Sequence, residues 1–126
     1  MKSFYSSAAP EAIGPYSQAI QTGNLLYCSG QTPIDPLTMK IAADDIGGQT
    51  LQALKNLEIV LTEAGLSLAQ VVKTNVYLAD MDQFSKMNIV YAKVFGSHRP
   101  ARTTIAVKGL PYNVLVEIEC IAEFKN

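Results

Sequence analysis

The chain has 126 residues and a formal net charge of −1, from 10 basic and 11 acidic residues scattered along its length, so it is of single-domain size and lacks the basic field that nucleic-acid backbones reward. Apolar residues make up 48% and charged residues 17%, a composition rich for a small soluble monomer and one that points to self-association. No stretch approaches the ~18 apolar residues that span a bilayer, and "MKSFYSSAAPEAIGPYSQ" has no signal-like apolar core, so a cytoplasmic protein without a membrane partner is expected.

From Tyr16, "YSQAIQTGNLLYCSGQ" reads as two strands around Thr22-Gly23-Asn24, where glycine and asparagine tolerate the positive φ of a tight turn. "TPIDPLTMKIAADD" carries two prolines and reads as a loop, with a short strand over 39–41. Leu51, Leu54, Leu57, Leu61 and Ala64 recur at helical spacing and stop at Gly65, predicting a first helix over 45–64. Ser67 can cap a short turn before "VVKTNVYLAD", a strand that alternates Val72, Thr74, Val76 and Leu78 against Lys73, Asn75, Tyr77 and Ala79. Asp80 or Asp82 then caps a second helix with a stripe of Phe84, Met87, Tyr91, Val94 and Phe95, ending before Gly96.

Two last strands are predicted over about 102–108 and 114–124, joined as a hairpin by the turn residues of "GLPYN". The result is an α+β domain, a mixed five- to six-stranded sheet with two helices on one face. Two helices cannot cover both faces, so the other face is left for a partner. On the final strand Val114, Val116, Ile118, Cys120, Ala122 and Phe124 fall on one side, while Leu115, Glu117, Glu119, Ile121 and Glu123 fall on the other. These glutamates belong either to a solvated sheet surface or to a cleft. Cys28 and Cys120 lie in apolar runs and read as reduced core thiols, and His98 is the only histidine. Neither supplies a metal-ligand set, so no metal is expected.

"GPYSQA" at 14–19, "CSGQTP" at 28–33 and "RPARTT" followed by "LPYNVLVEIE" through 119 together resemble the RidA family, also called YjgF-like, over essentially the whole chain. The resemblance implies a chorismate-mutase-like fold and a homotrimer with a cleft at each subunit interface. It also implies hydrolysis of 2-imino and enamine acids, such as 2-aminoacrylate and 2-aminocrotonate, to 2-keto acids and ammonia without a cofactor.

By the same resemblance, Arg102 anchors the substrate carboxylate, a role suited to a planar guanidinium that gives two parallel charge-assisted hydrogen bonds. Glu117 faces the reacting end, where a carboxylate can activate water. Tyr16, Ser29 and Gly30 line the cleft, and Asn88 matches a further cleft position less closely. Glu119 and Glu123 are left as solvated or subunit-pairing glutamates. Thr104 stands where many members carry cysteine, which removes a thiol nucleophile. Residue counting alone does not bring Arg102 and Glu117 together, because the register of the last strands is open. Two other functions compete with the deaminase: a regulatory protein that binds 2-keto acids, and a ribonuclease, against which the absence of a basic, aromatic-studded stripe argues.

Overall fold

The computed structural model describes residues 1–125. Its elements are β1 Lys2–Phe4, β2 Ala19–Thr22, β3 Leu25–Gln31, α1 Ile46–Glu63, β4 Val71–Leu78, α2 Phe84–Phe95, β5 Ala101–Ala106 and β6 Val116–Glu123. They form one six-stranded sheet in the order β1-β2-β3-β6-β4-β5. Among the described residues only the β4–β5 pair is parallel.

Local chemistry sets most boundaries where the spacing places them. Gly23, at φ 57, makes the two-residue turn between β2 and β3. The Asp45 side chain accepts from the Gly48 N–H at the start of α1, and Gly65, at φ 78, follows its last residues. The expected aspartate cap of α2 is displaced by one turn. Asp80 caps a short 3₁₀ segment, Met81–Gln83, and α2 grows from its end with no side-chain cap of its own.

The last strand shows the expected alternation: Val116, Ile118, Cys120 and Ala122 are buried. With Thr74, Val76 and Leu78 of β4 and Leu26 and Cys28 of β3 they form the covered face of the sheet. Against it lie Ala53, Leu54, Leu57, Val60 and Leu61 of α1 and Met87, Tyr91 and Phe95 of α2. Each fully buried leucine among them contributes about 1.5–3 kcal/mol. The Cys28 and Cys120 thiols are free, buried and paired across β3 and β6. Their hydrogen bond, followed by burial, raises Cys120 well above the usual thiol range, which keeps it unreactive.

Four expectations are corrected, and one strand is added to those expected. Leu51 is 39% exposed because the buried stripe of α1 runs through Ala53, Leu57 and Val60 instead. Val72 turns outward at a register shift between Val71 and Lys73, a β-bulge that offsets its alternation. The segment 39–41 forms no strand, only a single bridge between Ile34 and Ile41. β1, unforeseen, pairs with β2. Finally, the last two strands are not a hairpin: β5 lies at the sheet edge beside β4, and β6 is inserted between β3 and β4. The physical reason is burial. β6 has an alternating apolar face that needs neighbours on both sides, whereas the "ARTTIA" of β5 is largely exposed and suits an edge.

Three buried amides hold the irregular segments to this frame. Asn56, fully buried, donates to the carbonyls of Thr32 (3.0 Å) and Ile34 (2.8 Å) and accepts from Gln52. Gln49 donates to Ala43 O and accepts from Leu115 N–H, tying the loop before α1 to the entry of β6. Gln18 accepts from Ser6 N–H and donates to the carbonyls of Ser6 and Pro10. Asn56→Ala leaves two carbonyls without their donor and is expected to lower unfolding stability by about 2–3 kcal/mol, against under about 1 kcal/mol for Gln52→Ala, which loses one half-buried bond. Urea unfolding at one fixed chain concentration checks this. Equal losses would contradict the role given to Asn56.

Candidate functional site

The register of β4 assigns the predicted residues to the two faces of the sheet. Thr74 stands opposite Arg102 on β5 and Cys120 on β6, while Tyr77 stands opposite Ile105 and Glu117. Thr74 and Cys120 are buried beneath the helices, and neighbouring positions along a strand point to opposite faces. Arg102 therefore belongs to the helix-covered side and Glu117 to the open side.

Glu117 forms part of the floor of a cavity of about 600 Å³, whose lining includes Tyr16, Gly30, Ile34, Met39 and Tyr112. Gly30 lies in an irregularity of β3 between Cys28 and Gln31. A Cβ at this position would come within 2.5 Å of Glu117 Oε2, so glycine is what allows the carboxylate to lie over the strand. Burial raises the Glu117 carboxyl above the ordinary glutamate range, and the neighbouring Glu119 charge adds to the rise. Glu119 itself accepts from Tyr77 Oη at 2.8 Å and Asn75 Nδ2 at 3.3 Å. It is thus a fixed group on the open face rather than a freely solvated one. Glu123 accepts from Asn24 in an exposed position.

Tyr16 reaches the cavity, but Ser29 is not among its lining residues: its hydroxyl donates to Ser17 O at 2.7 Å, and its N–H donates to Gln18 O. Ser29 fixes the strand that carries Gly30. Met39 and Tyr112, which sequence reasoning did not select, both line the cavity and both have φ 58. Left-handed backbone at bulky residues carries about 1–3 kcal/mol of strain and is held only where surrounding structure enforces it. Nothing in the residue types announced this; the "LPYN" turn was the only signal for Tyr112.

On the other face, the Arg102 guanidinium lies 4.8 Å from the Tyr91 ring centroid and 5.5 Å from that of Phe84, a cation–π seat that fixes its plane. Tyr91 is held in turn by a 2.7 Å hydrogen bond to Thr74. Among the described residues no carboxylate pairs with Arg102. Asn88, Arg99 and Pro100 join Arg102 and Tyr91 around a depression of about 270 Å³. The Asn88 Oδ1 and Thr104 Oγ1 atoms, like Thr50 Oγ1 in α1, are buried without a hydrogen-bond partner among the described residues. The chain thus brings Tyr16, Gly30 and Glu117 together, brings Arg102 and Asn88 together, and leaves the two groups apart. Among the described residues no three His, Cys, Asp or Glu side chains converge as a metal site would, and no helix is long and apolar enough to cross a membrane.

Gly30→Ala is expected to fold, since the atoms it meets are the far end of a flexible side chain, but to push the Glu117 carboxylate off β3. A structure of the variant with Glu117 unmoved would contradict the close approach. In the parent, NMR titration of the Glu117 carboxyl is expected to give a pKa above that of an exposed glutamate. Glu119→Gln should lower it without restoring the ordinary value, because burial is the larger cause.

Comparison with known proteins shows the family. A family model described as Endoribonuclease L-PSP matches residues 6–124. A RutC family protein of Pyrococcus horikoshii is 52% identical over 118 residues, covering 94% of each chain. AldR of Lactococcus lactis, a protein named for a proposed regulatory role, is 45% identical over the full length of both. Reactive Intermediate Deaminase A of Arabidopsis thaliana, a chloroplast protein, is 46% identical over 90% of this chain and 61% of its own. Among solved structures, an endoribonuclease-like protein of Thermotoga maritima superposes with a TM-score of 0.96 at 45% identity, covering 100% of this chain and 99% of the other. E. coli TdcF with bound serine superposes at 0.94 with 35% identity, covering 99% and 100%. The chain belongs to the Endoribonuclease L-PSP family, the YjgF/RutC/RidA family.

Proposed function

We propose that the protein is a hydrolytic deaminase of 2-imino acids and their enamine tautomers, 2-aminoacrylate and 2-aminocrotonate among them, and that it works as a homotrimer. The observation that carries the reading is Arg102: a half-buried guanidinium seated on two aromatic rings and, among the described residues, without a carboxylate of its own. Such a group is built to receive an anion, and every substrate of this class carries a carboxylate. Because Arg102 and Glu117 occupy opposite faces of one sheet, the complete site needs the Arg102 depression of one copy against the Glu117 cavity of the next. A closed ring of such head-to-tail contacts gives each copy one site. The bound serine of TdcF is an amino acid with the same carboxylate.

In the proposed reaction a proton from solvent first adds to the enamine carbon, giving the imine in its protonated, iminium form (C=NH2+). Arg102 holds the carboxylate, and Asn88 supplies further polar contact. Glu117, ionised, takes a proton from a water as its oxygen bonds to C2 and the C=N π pair moves to nitrogen. The same proton, returned to that nitrogen, makes ammonia the leaving group. The C2–N bond then breaks as the new oxygen forms the carbonyl and loses its proton to the departing nitrogen or to solvent. The products are a 2-keto acid and ammonium, and no metal or cofactor enters the balance.

The two residues should fail differently. Arg102→Ala removes a charge-assisted anchor and is expected to weaken 2-keto acid binding by about 1.5–3 kcal/mol, with turnover falling alongside. Glu117→Gln keeps shape and hydrogen bonding but not basicity, so binding should survive while kcat falls about 10²–10⁴-fold. A base must be ionised to act, so kcat/KM should fall as pH drops through the raised pKa of Glu117, above the ordinary glutamate range, and this acid limb should vanish in Glu117→Gln. The measurement is ammonia release when a dehydratase acting on threonine or serine supplies the substrate. Glu117→Gln at the parental rate would overturn the assignment. Unaltered ammonia release beside intact 2-keto acid binding would make the protein a sensor, and cleavage of RNA at physiological salt would favour a ribonuclease.

A further inference from the structure

The Glu117 cavity is much larger than a three- or four-carbon acid requires. At about 600 Å³ it falls within the range of about 300–1,000 Å³ that encloses whole drug-sized ligands. Its floor is the sheet, with Gly30 and Glu117. Its walls come from three irregular segments that supply Ile13, Ile34, Met39, Ile41 and Tyr112. In the single chain Ile13 is 66% exposed and Tyr112 59% exposed, apolar surface that a ligand and the adjoining copy of the proposed assembly can cover.

The walls are held in place at a conformational cost. Asn56 grips the carbonyl of Ile34, and Ile34 bridges to Ile41. Between them Asp35 N–H donates to Lys40 O and Met39 N–H donates to Asp35 O, a tight loop that forces Met39 into the left-handed region. Tyr112 is forced likewise in the 3₁₀ turn before β6. Two bulky residues from distant segments, both strained and both facing one cavity, are what a preformed apolar subsite requires.

From these walls we infer that the cavity selects 2-imino acids with extended apolar side chains, branched aliphatic or aromatic, over those whose side chain is one or two carbons. The inference rests on the reading of Glu117 as the group beside C2, since it is that reading which directs the side chain into the cavity. With the carboxylate on Arg102 of the adjoining copy and C2 beside Glu117, the side chain is the part of the substrate left to fill the space between Ile13, Met39 and Tyr112.

The test uses the intact protein and an amino acid oxidase, with catalase, to generate imino acids from alanine, leucine and phenylalanine. The quantity compared is kcat/KM for the accelerated hydrolysis. The leucine- and phenylalanine-derived imines are expected to exceed the alanine-derived one by about tenfold or more, and this ratio should fall about tenfold in Tyr112→Ala and in Ile13→Ala. Ratios are taken at concentrations where sedimentation shows the variants assembled as the parent is. Calorimetric binding of the corresponding 2-keto acids should follow the same order. Hydrolysis that favours the alanine-derived imine, with a ratio indifferent to both variants, overturns the inference and leaves the deaminase reading standing. No accelerated hydrolysis of any imine, together with tighter binding of the larger keto acids, overturns the deaminase reading and leaves the apolar subsite standing.

Discussion

The arrangement depends on the period-two geometry of β4. One strand fixes the register of both its neighbours: Thr74 lies opposite Arg102 and Cys120, and Tyr77 lies opposite Ile105 and Glu117. Side chains three residues apart on a strand must point to opposite faces, so the guanidinium and the carboxylate are separated by the thickness of the sheet. No rotamer change within one chain reverses that. In the proposed chemistry this separation makes each residue half of a site, and association of copies becomes a condition of turnover.

Stability and site draw on the same residues in opposite senses. Leu54, Leu57, Leu61 and the covered face of β6 form a conventional core, while Gln18, Gln49 and Asn56 spend buried amides on loop carbonyls and N–H groups. Those bonds hold segments that would otherwise have no reason to stay where they are. The segments in turn carry Met39 and Tyr112 in strained backbone and bound the cavity over a carboxyl whose ionisation burial disfavours. The cavity is thus bounded by segments that buried amides tie to the core.

Much of the frame was legible from residue spacing. The β2–β3 turn, both helices and the alternation of the last strand follow from glycines, capping side chains and period, and they appear where expected. Strand pairing was not legible. The "GLPYN" turn suggested a hairpin, but turn chemistry specifies only a reversal and not the neighbour, and burial of β6 on both sides decided the order. The bulge at Val72 and the exposure of Leu51 were invisible for the same reason: each depends on what packs opposite. The amides of Gln49 and Asn56 did carry a signal, since they lie seven residues apart within the apolar stripe of α1. The family motifs singled out Arg102 and Glu117, whereas their assignment to opposite faces came only from the register.

The most direct test of the shared site is subunit complementation. Arg102→Ala and Glu117→Gln chains, each inactive alone, are unfolded together, refolded as an equimolar mixture and assayed for imine hydrolysis. If each site takes Arg102 from one copy and Glu117 from another, random assembly restores both groups at about a quarter of the sites, and activity returns to about that fraction of the parent. If the mixture stays as inactive as its components while native mass spectrometry shows mixed assemblies, then the two residues do not meet across copies, and the account of a site divided by its own sheet is wrong.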